Sequence, residues 1–331
     1  MSTEPVIEAR DLRKHFPVRR GLLASLISRR PPKMLRAVDG VSFALHEGDV
    51  LGLAGESGCG KSTTGMTLLN LYPPTGGEIR FQGIGRLDSA NRRTLLAFRR
   101  QVQIVFQNPY EALNPRYTIE QCVREPIAIH FRGDAKSMRE RVVRAMTRAG
   151  LTPIETYLDR YPHQLSGGQL QRVAIARAIA VEPRVLVADE PVSMLDVSIR
   201  AGILKLLRSF ASDLSMAVLY ISHDLSTMRH ICSRIAVMYL GRIVEMGSAD
   251  AILDAPHHPY AQALVASIPV MGGRTKRQRI RLTGAVPNAA DIPSGCRFHP
   301  RCPKAMARCS EEEPQLKPIP DGRLVACHLY D

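Results

Sequence analysis

No apolar run in this chain of 331 residues approaches the roughly 18 residues of a membrane-spanning helix, so a membrane-embedded protein is not expected. The opening stretch MSTEPVIEAR carries acids and lacks the hydrophobic core of an export signal, and the expected location is cytoplasmic. Acids are scarce elsewhere: 31 Asp and Glu stand against 45 Lys and Arg, a formal net charge of +14. Between Leu12 and Val38 there is no acid at all. Arg13, Lys14, Arg19, Arg20, Arg29, Arg30, Lys33 and Arg36 make that stretch a basic insert, with Pro31 and Pro32 marking a loop. Such charge suits a nucleic-acid backbone, an anionic membrane surface or plain solvent. None of the seven cysteines forms a C-x2–4-C pair. Without an export signal they point to free thiols or metal ligation in place of a disulfide framework.

What is present is a 45% hydrophobic composition, ample for a core, in a length that suggests two domains. The stretch VLGLA, read as a strand, runs into GESGCGKST and then into the apolar-periodic TTGMTLLNL. Strand, glycine-rich loop and helix set this apart from a mere turn. Gly55, Glu56, Ser57, Gly58, Cys59, Gly60, Lys61, Ser62 and Thr63 match the phosphate-binding pattern G-x-x-x-x-G-K-[ST]. The glycines let backbone amides face phosphate oxygens, Lys61 neutralises the β and γ phosphates, and the Ser62 hydroxyl suits Mg2+.

A second apolar strand, in RVLVADEP, ends in two carboxylates. Asp189 is expected to hold Mg2+ and Glu190 to act as general base toward the attacking water. A third strand, AVLYIS, ends at His223, placed to sense a γ-phosphate, and Gln107 ends VQIVFQ, placed to reach the metal or the lytic water. Ser166, Gly167, Gly168 and Gln169 open a helix with free amides, a second anion site far along the chain from Lys61. Helices at about 118–131, 137–149 and 154–160 precede it and read as a separate lobe. Two chains packed head to tail would let each LSGGQ segment cap the γ-phosphate held by the other, with SMLD and its Asp196 at the interface.

In this order, GESGCGKST, LSGGQ, VLVADEP, SMLD and SHD resemble an ATP-binding cassette ATPase. VFQNPYEALNPR, DVSIR, MYLGRIVEMG, HHPYAQALVASIP and PSGCRFHPRCP further resemble the ATPase subunits of oligopeptide/dipeptide importers. The resemblance implies an α/β fold: a RecA-like core, an antiparallel β lobe, a helical lobe at about 112–182, and a small cysteine-containing C-terminal extension. It divides the chain into an ATPase domain, 5–254, and an extension, 255–331. It implies ATP and Mg2+ as cofactors, Phe16 stacked on adenine, and a peripheral site on the cytoplasmic face of the inner membrane. The implied partners are two transmembrane permease subunits, an extracytoplasmic substrate-binding protein, and a second ATPase subunit, as a heterodimer or alternatively a homodimer. No nucleic-acid partner is expected. Ala is common where Met194 stands, a departure that touches nothing catalytic.

A soluble cassette ATPase acting on nucleic acid or ribosomes is the rival reading. One cassette, with no long heptad insert between Lys61 and Ser166, disfavours it. Cys296, Cys302, Cys309 and Cys327, spaced C-x5-C-x6-C-x17-C, suggest a single site. The proline after Cys302 and the nearby Arg297, Arg301, Lys304 and Arg308 favour a 4Fe-4S cluster, with Zn2+ second and a lobe packed by reduced thiols third. The lobe lies beyond the nucleotide motifs, so catalysis is not expected to need it.

Overall fold

Val50–Ala54 is buried along its whole length, as a continuous apolar strand between layers must be. In the computed structural model, which describes residues 4–18, 33–87, 91–268, 284–285 and 287–331, Leu51 to Ala54 pair parallel with Arg234 to Val237. Arg19, Arg20, Arg29 and Arg30 of the basic insert lie outside the described residues. The chain divides into two compact units made of discontinuous segments: 1–7, 44–50 and 80–221 in the first, 8–43, 51–79 and 222–331 in the second.

In the second unit, strand Arg234–Tyr239 turns back antiparallel into Arg242–Ser248, and Glu245 and Met246 pair with Val325 and Leu324 near the C-terminus. Leu324–Val325 then pairs with Lys317–Pro318. The last residues of the chain therefore extend the sheet that begins with the strand before the phosphate-binding loop. The same unit carries most of a further sheet, in which Met34–Leu45, Ile7–Pro17 and Gly76–Phe81 are successive neighbours.

The first unit holds three parallel strands. Val102 pairs with Val185, and Val185 with Ala217. Five of the six residues of VLVAD plus Glu190 are apolar or buried, and Val185 to Asp189 are buried throughout. The expected helical lobe is present as Ile119–His130, Ala135–Arg148, Glu155–Leu158 and Gly167–Ile179. Thr118 starts the first of these with a reciprocal capping box to Gln121, and Asp134 caps the second through the Ser137 amide, each cap worth about 1 kcal/mol. Val123, Ile127, Val142, Met146, Leu170 and Val173 fill the space between these helices. Parallel strands with flanking helices make an α/β fold, and the expected lobe helices pack on one another.

Candidate functional site

Lys61 opens the helix Lys61–Leu68 directly after the loop, and no side chain caps that helix start. Its first-turn amides therefore face outward, where the helix dipole favours an anion. Lys61 is buried, and its ammonium donates to the carbonyls of Gly55 at 2.8 Å and Glu56 at 3.0 Å. Gly60 has a φ of 106°, and a Cβ there would lie 2.0 Å from the Ala37 carbonyl oxygen. A Cβ on Gly55 would meet the Met238 carbonyl at 2.3 Å. The loop is thus pressed against backbone on two sides, which only glycine permits at these points. Gly241 N–H donates to the Cys59 carbonyl at 2.9 Å, and burial raises the Cys59 thiol's pKa, keeping it neutral beside Lys61. Ser57, Gly58 and Ser62 are exposed, and Thr63 is half-buried.

Within the first unit, Asp189 is buried at the end of its strand and Glu190 leaves it with a φ of 45°, in the left-handed region. A glutamate held there carries backbone strain of about 1–3 kcal/mol. The Glu190 N–H donates to the Ile221 carbonyl at 2.9 Å, and the Ser193 hydroxyl donates to the Glu190 carbonyl at 3.1 Å. The Gln107 amide reaches the Glu190 carboxylate at 3.4 Å. The Gln107 side chain thus stands within hydrogen-bond reach of the Glu190 carboxylate, a contact the motifs did not specify.

Ser166 is the N-cap of Gly167–Ile179. Its hydroxyl accepts from Gln169 N–H at 3.4 Å, while the Gln169 side chain accepts from Ser166 N–H at 3.0 Å. Gly168 is buried, and a Cβ there would lie 2.6 Å from the Ile199 side chain. That close approach sets the LSGGQ helix against Val197–Leu214, whose N-cap is Asp196. Met194 and Val197 beside it are 67% and 79% exposed, an apolar surface left open by this chain alone.

In the second unit, His223 is exposed at the end of its strand. Phe16 is half-buried and meets Tyr72 edge-on at 5.6 Å, with the Lys14 ammonium 5.1 Å from the Phe16 ring. Of the basic insert, Arg13 pairs with Asp11 at 2.8 Å, Lys33 pairs with Asp291, and Arg36 lies 3.8 Å from Asp39.

The four C-terminal cysteines lie in one lobe, with Cys296 N–H donating to the Cys309 carbonyl at 2.7 Å. All are free thiols. Burial, and then the neighbouring Cys309, Cys327 and Cys302, push the Cys296 thiol up to about 11. Among the described residues, however, no group of three or more His, Cys, Asp or Glu side chains is placed to hold a metal ion. The arrangement of these side chains therefore supports neither the four-iron cluster nor the zinc expected from the spacing.

Three residues that the motifs did not assign to the nucleotide site lie against the nucleotide loop or its neighbours. The Tyr260 hydroxyl accepts from Glu56 N–H at 2.9 Å, and Arg301 donates to both Glu56 carboxylate oxygens at 2.8 and 3.1 Å. Arg297 bonds Asp39 at 2.5 Å and the Leu240 carbonyl at 2.6 Å. The C-terminal lobe thus touches the loop directly, although it lies beyond the motifs in sequence. The only sequence signal was the presence of these residues in HHPYAQALVASIP and PSGCRFHPRCP.

Two family models match the chain: "ABC transporter" over residues 38–193 and "Oligopeptide/dipeptide transporter, C-terminal region" over residues 244–309. The oligopeptide transport ATP-binding protein AppF of Bacillus subtilis is 44% identical over 329 residues, covering 99% of this chain and 98% of the relative. The dipeptide transport ATP-binding protein DppF of Haemophilus influenzae is 44% identical, covering 99% and 97%. Among solved structures, the dimeric post-hydrolysis state of the ATP-binding cassette MJ0796 bound to ADP and Pi matches with a TM-score of 0.63 at 28% identity, covering 73% of this chain and 98% of that one. CbiO1 of Clostridium perfringens, part of the transporter complex cbiONQ, matches with a TM-score of 0.63 at 27% identity, covering 76% and 91%.

Proposed function

Since this chain belongs to the ABC transporter ATPases and carries the C-terminal region of their oligopeptide/dipeptide branch, we propose that it is the ATP-hydrolysing subunit of a peptide importer. The observation that carries this is the near full-length similarity to AppF and DppF, supported by the phosphate-loop, carboxylate and LSGGQ motifs in this chain's own sequence.

In this reading the loop amides of Gly55 to Thr63 and the Lys61 ammonium hold the ATP phosphates, and Phe16 takes the adenine face. Ser62, Asp189 and Gln107 are the residues that would hold Mg2+, which when bound would supply charge neutralisation as the γ-phosphate is attacked. Glu190 orients the attacking water and takes its proton. His223 contacts the γ-phosphate. Ser166, Gly167, Gly168, Gln169 and Asp196 act across a dimer interface, which the exposed Met194 and Val197 support. We assign 5–254 to the ATPase domain and 255–331 to the extension.

Two permease subunits dock beside Gln107 and the NPYEALNP loop, in which Tyr110 is an exposed aromatic group. No helix among the described residues is long and apolar enough to cross a membrane, so the path for peptide belongs to those other chains. The protein sits peripherally on the cytoplasmic face of the inner membrane, paired with a related ATPase, and an extracytoplasmic binding protein delivers the peptide. A nucleic-acid or ribosome role has no support among the relatives, which are named for transport.

A 4Fe-4S cluster on Cys296, Cys302, Cys309 and Cys327 is a separate proposal. Its support is the spacing of the four thiols along the chain and the proline directly after Cys302. No step of the mechanism passes through it. Anaerobic purification with iron and sulfide analysis tests it: stoichiometric iron and sulfide support it, and folded metal-free protein rejects it.

The functional reading is tested by Mg2+-ATP hydrolysis in the complex of this chain with its permeases. Stimulation by peptide-loaded binding protein is expected. Stimulation by DNA or ribosomes instead would reject the importer assignment.

A further inference from the structure

We infer that Arg301, from the C-terminal lobe, is a positioning residue for the phosphate-binding loop, holding Glu56 in place and cancelling its charge. The inference deepens the nucleotide reading above and rests on it.

Glu56 is the second residue of the loop, and three of its groups are held. Its carbonyl accepts from the Lys61 ammonium at 3.0 Å, and its N–H donates to the Tyr260 hydroxyl at 2.9 Å. Its carboxylate takes both prongs of the Arg301 guanidinium at 2.8 and 3.1 Å. Two of these three holds come from the segment beyond residue 254. Such a two-pronged grip fixes the carboxylate in orientation as well as in distance.

Arg301 is itself pre-placed. It closes the single turn His299–Arg301, is buried to 7% exposure, and lies 5.9 Å from the Tyr239 ring. Phe298, Tyr239 and Tyr260 pack against one another with centroid distances of 4.7 to 5.4 Å and form the floor beneath this turn. The lobe therefore presents a fixed cation to the loop, with little side-chain freedom left to lose.

The electrostatic consequence concerns ATP. An uncompensated carboxylate on the phosphate loop would repel the β and γ phosphates that Lys61 attracts, and Arg301 removes that repulsion. Loss of Arg301 should then hurt because Glu56 is left charged, so neutralising Glu56 should repair it. A role confined to packing predicts no such repair.

The test is titration of the full chain with ATP and Mg2+, alongside thermal unfolding. Arg301→Gln should raise the Kd for ATP about tenfold, the scale expected when one partner of a partly buried charged pair is removed. The double variant Glu56→Gln/Arg301→Gln should return to within about threefold of wild type, the mark of a coupled pair. Lys317→Ala, which removes an exposed ion pair to Asp331 on the same lobe, should leave the Kd unchanged. Wild-type affinity in Arg301→Gln, no recovery in the double variant, or an equal loss in Lys317→Ala would each overturn the inference. Should Arg301→Gln not fold, Arg301→Lys carries the test: a weakened affinity that Glu56→Gln restores supports the inference, and wild-type affinity refutes it. Wild-type protein that binds no ATP would overturn the nucleotide reading itself, and the inference with it.

Discussion

The Gln107 side-chain amide donates to the Glu190 carboxylate at 3.4 Å, linking the segments that follow two neighbouring parallel strands, Val102–Val105 and Val185–Asp189. Gln107 stands one residue before Asn108, which caps the turn Pro109–Glu111, where Tyr110 is 55% exposed. A change at the carboxylate is therefore one hydrogen bond from the loop proposed to meet a permease.

Glu190→Gln should slow hydrolysis about 10²-fold or more while ATP affinity is kept, since it removes a base and no phosphate contact. The trapped species is expected to be a closed dimer, visible by size-exclusion chromatography with ATP. Lys61→Ala should differ by losing nucleotide binding. Unchanged turnover of Glu190→Gln in the assembled complex would remove Glu190 from the role of base.

Ser166→Arg should leave ATP binding to the isolated chain intact while blocking ATP-driven dimerisation and turnover. The Ser166–Gln169 capping box is local to this helix start, and a bulky cation there would occupy the anion-facing nest. If the variant fails to bind ATP as a monomer, action across a dimer interface is wrong.

Gly60→Ala should destabilise the fold by about 2 kcal/mol or more, because the left-handed backbone and the Ala37 carbonyl both reject a Cβ. Thermal melting of wild type and variant measures this. Gly58→Ala, at a φ of 78° but with nothing within 4 Å of the added carbon, should cost less.

Acidification should weaken the second unit through His258. Full burial lowers its pKa to about 3, and its Nδ1 accepts from Tyr260 N–H at 3.1 Å, which requires the neutral ring. The unfolded chain therefore binds the proton first as pH falls below about 6.5, and this contribution to stability declines by about 1.4 kcal/mol per pH unit down to about 3. Denaturant unfolding at pH 7, 6 and 5 should show the slope, and His258→Gln should flatten it. An equal slope in the variant would assign the effect elsewhere.

What could be read from the sequence was what lies together along it. The phosphate loop announces itself because strand, glycines, lysine and helix are contiguous, and the helices near 119–130 and 135–148 carry their own caps and apolar faces. The grip of Arg301 on Glu56 joins residues 245 apart, and that of Arg297 on Asp39 joins residues 258 apart. No local pattern encodes such pairs. Glu190 in a left-handed conformation is likewise invisible, since a propensity argument would put glycine there. The cysteine spacing pointed to a single metal site, and gave no sign that Arg301 of the same lobe grips Glu56 of the nucleotide loop.

Uptake of a labelled dipeptide by cells lacking the chromosomal copy, complemented with wild type or with Lys61→Ala, tests the central claim most directly. The account predicts uptake with wild type, none with Lys61→Ala, and matching amounts of permease in both. Dipeptide and oligopeptide uptake that is the same with and without the wild-type chain would contradict it.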